Sequence, residues 1–209
     1  KHSVKIAINT IPQDRPPWEI WVNSSGNRFM REDHPSADYR RKKVNEQKKQ
    51  KFFIIFDNNI LINAPPISST KDGGLMSHID SDFKMHKFKS IDDLSYQMII
   101  DRSNLCHTIN TFNKAVDAKT DVFGREHMPR KIQNPPFHCI ESVAFALPSP
   151  AGIAIDERFR VLNNNNVPIK NIFAAGEIIG NTRLMGNHYI AGMGVGPTIT
   201  FGKLIGESI

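Results

Sequence analysis

Apolar and polar positions alternate along this chain with periods that mark out its elements. In "PPWEIWVNSSGNRFMRED", residues 16–33, Trp18, Ile20 and Val22 fall at every second position, and Ser-Ser-Gly-Asn separates them from Phe29. That pattern predicts strand, turn and strand. "RRKKVNEQKKQK" (40–51) predicts a helix, and the short apolar run "FFIIFD" (52–57) predicts a buried strand. Residues 58–90 mix polarities around Pro-Pro and Gly-Gly and read as a long irregular excursion. "SIDDLSYQMII" (90–100) reads as a helix capped by its serine. Asp101 caps a second helix, on which Leu105, Ile109, Phe112 and Val116 share one face. "TDVFGRE" ends that unit in a turn.

Strands are then expected over "FHCIESVAFAL" and "AGIAIDERFRVLN", with "NNNN" (163–166) as the hairpin tip before "VPIKNIFAAGE". A last helix, "PTITFGKLIG", opens with Pro197 at its first position. No internal repeat interrupts this order.

Composition narrows the class. With 209 residues, 39% hydrophobic and 23% charged, the chain is globular, with material for one large domain or two small ones. No apolar run approaches the roughly 20 residues that span a bilayer, and the charged opening "KHSVKIAINT" lacks the apolar core and cleavage site of a signal peptide. A cytoplasmic protein without a membrane span is expected. Cys106 and Cys139 suit reduced thiols and lack metal-ligand spacing, so no metal is expected. Lacking an initiator methionine, the chain is expected to begin partway through a longer protein. The net charge of +6 arises mostly from the basic helix. No aromatic residue interleaves that run and no nucleic-acid-binding pattern accompanies it, so a solvated helix face is expected and nucleic acid is not. Steering of an anionic substrate is the other use of such a field.

Four stretches together carry a family likeness: "PWEIWVNSSGNRFMRED", "TINTFNKAVDAKTDVFGRE", "PPFHCIESV" leading to "AGIAIDERFRVLNNNNVPIKNIFAAGE", and "GNHYIAGMGVGPTITFGKLIGE". In this order and spacing they resemble the second part of the FAD-dependent fumarate reductase/succinate dehydrogenase flavoprotein superfamily, nearest the branch of tricarballylate dehydrogenase and the 3-ketosteroid dehydrogenases. The resemblance implies an α+β capping domain plus the C-terminal portion of an α/β FAD-binding domain. Residues 1–19 would enter from the FAD-binding domain, 20–135 would form the cap, and 136–209 would return to the FAD-binding domain. The glycine-rich turn G-x-G-x-x-G that holds the pyrophosphate in such proteins is not among these residues; "GMGVGP" (192–197) has another spacing and stands at the other end. A missing N-terminal FAD-binding half is therefore an expected partner.

The same resemblance implies roles. Ala174, Ala175 and Gly176 would let the flavin tail approach the backbone, and Glu177 would accept from the ribityl chain; an acid at a helix start or in solvent is its plainer use. Arg183 matches an arginine that clamps a substrate carboxylate with its planar fork of donors; a surface ion pair is its plainer use. Gly186 would leave room for substrate, and Asn187, His188 and Tyr189 would lie along the flavin. Glu32 matches an acid close to substrate, with a structural acid paired to a nearby arginine as the alternative. Tyr189 also resembles the enolising tyrosine of the steroid enzymes, and His34 and His188 are candidate proton carriers. "FDNNILINAPP" lacks the family's proton-donating arginine and "FALPSPAG" its histidine, which argues against fumarate reduction itself. The expected activity is FAD-dependent oxidation or reduction of a CH–CH (C=C) bond, by hydride transfer to or from flavin N5. The substrate would be a small organic acid or ketone, anionic if Arg183 clamps it. A non-catalytic fragment or degenerate relative unable to hold FAD alone is the alternative.

Overall fold

The computed structural model describes residues 15–67, 85–143, 151–181, 192 and 194–209. The chain divides into two compact units, Lys1–Ala144 and Phe145–Ile209.

The first unit is built on a four-stranded antiparallel sheet of order β1-β2-β4-β3. Its strands are β1 (Ile20–Val22), β2 (Lys51–Asp57), β3 (Met85–Phe88) and β4 (Phe137–Val143). Strand β2 lies between β1 and β4, in register Ile20↔Ile55 on one side and Ile54↔Ile140 on the other. Every residue from Phe52 to Asp57 is buried, which is why its sequence is an unbroken apolar run rather than an alternation.

Among the described residues four α-helices accompany the sheet: α1 (Ala37–Asn45), α2 (Asn58–Asn63), α3 (Ile91–Met98) and α4 (Arg102–Ala118). Each starts on a side chain that accepts a backbone N–H of the first turn: Ser36 from Tyr39, Asp57 from Ile60, Ser90 from Asp93 and Asp101 from Asn104. The predicted helices α3 and α4 stand where expected, and α4 buries Leu105, Ile109 and Phe112 with Val116 partly covered. Of the basic segment expected as a helix over 40–51, residues up to Asn45 lie in α1, with Arg40 and Val44 buried, Arg41 and Lys42 exposed and Lys43 partly covered; Lys48–Gln50 form a 3-10 turn and Lys51 opens β2.

The first predicted hairpin is present, but its second arm is reduced to one bridge, Val22↔Arg28. Its turn is closed by Asn23 Oδ1, which accepts from Ser25 and Asn27 N–H. Gly26 has φ +78°, and a Cβ there would lie 2.8 Å from Leu105 N and 2.9 Å from Asp101 O. Only glycine meets both demands. Thr108 Oγ1 then donates to Gly26 O, fastening the turn to α4.

Two elements depart from the expectation. The excursion expected over 58–90 contains α2 and β3. The sequence also set a boundary after residue 135, whereas β4 joins the sheet of the first unit and the division falls after Ala144.

The second unit holds β5 (Arg160–Leu162) and β6 (Pro168–Phe173), an antiparallel pair joined through the asparagine run as expected. Asn163 Oδ1 accepts from Asn165 and Val167 N–H, and Asn166 takes φ +59°. The segment before β5 is not one strand. Asp156 Oδ1 accepts from Arg158 and Arg160 N–H, turning the chain so that Ile155 bridges back to Val161. Among the described residues a turn at Gly176–Ile179 and helix α5 (Gly196–Ser208) follow, and Phe201 of α5 packs on Val161, Ala174 and Ile179.

Candidate functional site

Two sequence motifs meet in the first unit as a buried cluster of four charges. Arg28 follows the turn at Gly26; Asp121 and Arg125 follow the end of α4. Arg28 Nε donates to Glu32 Oε1 at 2.8 Å and Nη2 to Oε2 at 2.6 Å, while its two terminal nitrogens also donate to Oδ1 and Oδ2 of Asp121. Arg125 Nη1 stands 3.4 Å from Glu32 Oε2 and donates to Glu19 O at 2.7 Å; Nη2 donates to Pro17 O. Phe112 lies beneath both guanidinium groups, 5.4 Å from Arg28 and 5.2 Å from Arg125. All four charged residues are at most 9% exposed.

Two positive and two negative charges balance, and each is hydrogen-bonded, as burial of charge requires. Burial by itself would lower the Arg28 pKa; the charges and hydrogen bonds of Glu32 and Asp121 outweigh it and push it up. Burial would raise Asp121, and the bonds from Arg28 outweigh it and hold the carboxyl below its ordinary value.

Glu32, at 1% exposure, has both oxygens engaged by arginines, and Oε1 also accepts from Trp21 N–H at 3.3 Å. Of its two sequence-based roles, these contacts support the structural acid. His34, the other candidate of this region, accepts from Ser36 N–H through Nδ1 and stacks on Tyr39 at 4.0 Å between ring centroids.

A second junction was not foreseen. Asp57, fully buried at the end of β2, accepts through Oδ1 from Ile60 N–H and through Oδ2 from Gln133 and Asn134 N–H at 2.9 and 2.8 Å. Beside it His138 is 1% exposed, stacked on Phe56 at 5.4 Å, and neither ring nitrogen has a hydrogen-bond partner among the described residues. Burial, with the charge of Lys87 and against that of Asp57, brings its pKa down to about 4. Cys139 beside it is a buried thiol whose pKa burial pushes up; Cys106 is half-buried, and neither forms a disulfide.

In the second unit, β6 ends at Phe173 and runs into Ala174, Ala175 and Gly176. Gly176 has φ +80°, and a Cβ there would lie 2.8 Å from Thr198 Oγ1 in the first turn of α5. The backbone turn is therefore pressed against the helix start, with Glu177 presented at the exposed surface. Arg183, Gly186, Asn187, His188 and Tyr189 lie outside the described residues.

Comparison with known proteins identifies the family. Residues 17–192 match the FAD binding domain family. Among its relatives, a cytochrome-type fumarate reductase of Shewanella frigidimarina is 26% identical over 206 residues, 98% of this chain and 34% of the relative. The open conformation of a flavocytochrome c3 fumarate reductase superposes with a TM-score of 0.66 at 26% identity, covering 90% of this chain and 32% of that one. A 3-ketosteroid delta1-dehydrogenase from Sterolibacterium denitrificans shares the fold, with a TM-score of 0.68 at 20% identity over 92% of this chain and 38% of that one.

The chain belongs to the FAD binding domain family, within the fumarate reductase/succinate dehydrogenase flavoprotein superfamily, and the cofactor of that family is FAD. It spans about a third of the length of the curated relatives it matches first. At the turn after β6 stand an exposed carboxylate, Glu177, and a glycine whose missing side chain makes room for Thr198 of α5. Among the described residues no helix is long and apolar enough to cross a membrane.

Proposed function

We propose that this chain is the cap and the C-terminal FAD-domain portion of an oxidoreductase acting on the CH–CH (C=C) bond of a small organic acid or ketone. The observation that carries the reading is the turn at Gly176, pressed on the first turn of α5 with Glu177 exposed beside it, within a chain that matches FAD binding domains over residues 17–192. When bound, FAD supplies the two-electron redox chemistry.

The chain's own residues bind and orient. Ala175, Gly176 and Glu177 hold the cofactor's tail, with Asn187, His188 and Tyr189 along its length. Arg183 clamps an anionic group of the substrate through two parallel hydrogen bonds, and Gly186 leaves room for the reacting carbons. Glu32 holds Arg28 and Arg125 inside the first unit and keeps the turn at Gly26 on α4.

The test is turnover of the native, flavin-loaded protein with an unsaturated carboxylic acid and with its methyl ester. Preference for the acid by two orders of magnitude supports a carboxylate clamp. Equal rates with acid and ester, or turnover of cyclic ketones alone, contradicts it and moves the chemistry to Tyr189.

A further inference from the structure

His138 works against the fold that buries it. Its imidazole is 1% exposed and rests on the Phe56 ring, yet neither ring nitrogen has a hydrogen-bond partner among the described residues. A polar group taken from water without a partner opposes folding. Phenylalanine would fill the same place in the stack and leave no nitrogen unpaired. The strand alongside is the second unusual feature. β3 is a four-residue edge strand, paired among the described residues with β4 alone, and its register sets Lys87 directly across from His138. Met85 and Phe88 are its buried residues, while His86 and Lys87 are exposed.

The charged groups around the ring leave a proton on it poorly matched. Lys87 acts on it from β3 and opposes the charged form; Asp57, at the end of β2, favours it. Both Asp57 oxygens already accept backbone N–H groups, from Ile60, Gln133 and Asn134. Helix α2 carries no charge. On α3, which packs against β3 and β4, Asp92 is bonded to Arg102 and Asp93 to Gln97. Strand alternation puts His86 and Glu141 on the other face of the sheet.

We propose that His138 and Lys87 form an acid-operated latch on the sheet: a proton on the imidazole releases edge strand β3 from β4. While the ring is neutral, the strand pair stays closed. Protonation sets a second positive charge across from Lys87 on the neighbouring strand, and like charges in that relation push the strands apart. Opening the edge admits the water that the charged ring lacks in the closed sheet. β1 and β2 keep their pairing, because β3 takes no part in it. The release is local, and it bares the edge of β4 for another strand. It lies wholly within the first unit and stands apart from the functional reading above. Burial and Lys87 hold the ring's pKa to about 4 in the closed state, against 6.5 in an open chain. Opening at pH 5 is therefore favoured by about 30-fold over opening at pH 7.5.

Hydrogen exchange on the native protein tests this, read by mass after digestion, with rates corrected for the intrinsic effect of pH. Between pH 7.5 and pH 5 the amides of Met85–Phe88 should lose about 30-fold of protection, while those of Ile20–Val22 keep theirs. His138→Phe keeps the stack and should hold β3 protection constant over the same range. Lys87→Gln removes the opposing charge at an exposed position and should at least halve the loss. Unchanged β3 protection in the native protein, or a loss shared equally by β1, overturns the proposal. So does the same loss in His138→Phe, or an undiminished one in Lys87→Gln.

The ring itself gives a readout that needs no variant. The His138 imidazole resonance of the unaltered protein should titrate in step with the loss of β3 protection. A ring that charges while β3 stays protected, or a strand that opens while the ring stays neutral, overturns the latch.

Discussion

Arg28 and Asp121, 93 residues apart in sequence, are joined by two hydrogen bonds between guanidinium and carboxylate inside the first unit. The pair ties the turn that seats on the start of α4 to the turn that follows its end, so the helix is gripped at both ends by one ionic cluster. Removing one member leaves its partner charged and buried, which costs about 3–5 kcal/mol. Arg28→Met should lower the unfolding free energy of the chain in urea by that amount, and Asp121→Leu by a similar amount. The double variant should recover at least about 1.5 kcal/mol of the sum, since it leaves neither charge orphaned. Additive losses would mean that the two residues act separately.

His138 makes stability depend on pH. In the unfolded chain its imidazole titrates near 6.5, and in the fold near 4, because burial and Lys87 oppose the charged form more than Asp57 favours it. The unfolded state therefore binds more protons between these values. Stability from this group is complete above pH 6.5, declines as pH falls towards 4 and levels off below, a loss of about 3 kcal/mol. His138→Phe keeps the stack on Phe56 and should remove that part of the slope. The check is a set of urea midpoints from pH 7 to pH 4.5; equal slopes in both proteins would contradict it.

The fold was legible wherever local chemistry decides structure. The caps at Ser90 and Asp101, the periodic Leu105, Ile109 and Phe112, the asparagine turn and the buried run of β2 are signals contained within a few residues. Strand β3, "MHKF", was hidden because its two middle residues are exposed on an edge strand, and α2 because a six-residue helix has hardly more than one period to show. The long-range contacts of Asp57 and Arg28 were hidden for another reason: Gln133, Asn134 and Asp121 are 76 to 93 residues away from them in sequence. The turn at Asp156 broke an apolar stretch that reads as strand, because its aspartate accepts two backbone N–H groups. Of the candidate site, the small-residue turn and Glu177 follow β6 as the sequence implied, while the segment from Arg183 to Tyr189 lies outside the described residues.

Gly26 provides a test of the junction between turn and helix. Alanine there combines a left-handed backbone with a Cβ 2.8 Å from Leu105 N and 2.9 Å from Asp101 O, neither of which is a side chain that can swing away. Gly26→Ala should destabilise the chain by about 2–4 kcal/mol. Thermal melts would show it directly, and a loss under about 0.5 kcal/mol, the range of an unremarkable surface substitution, would mean that the turn lifts off α4 freely.

The 209-residue chain on its own should bind FAD weakly. It contains no strand–G-x-G-x-x-G–helix segment to hold the pyrophosphate, and each charge-assisted hydrogen bond forgone is worth about 1.5–3 kcal/mol. Isothermal titration with FAD should give a dissociation constant no tighter than the micromolar range. Purification of this chain with stoichiometric yellow flavin would show that a phosphate site exists elsewhere in it.

The most direct test of the account compares bound-flavin absorbance and turnover on the same samples of the native protein and two variants. Glu177→Ala should lose flavin first, with activity falling in proportion to the cofactor lost. Arg183→Lys should keep its flavin and lose turnover on the order of 100-fold, because lysine retains the charge but not the paired hydrogen bonds that align the substrate. Equal loss of flavin in both variants, or full flavin in Glu177→Ala, would contradict the assignment of the turn after β6 to the cofactor and of Arg183 to the substrate.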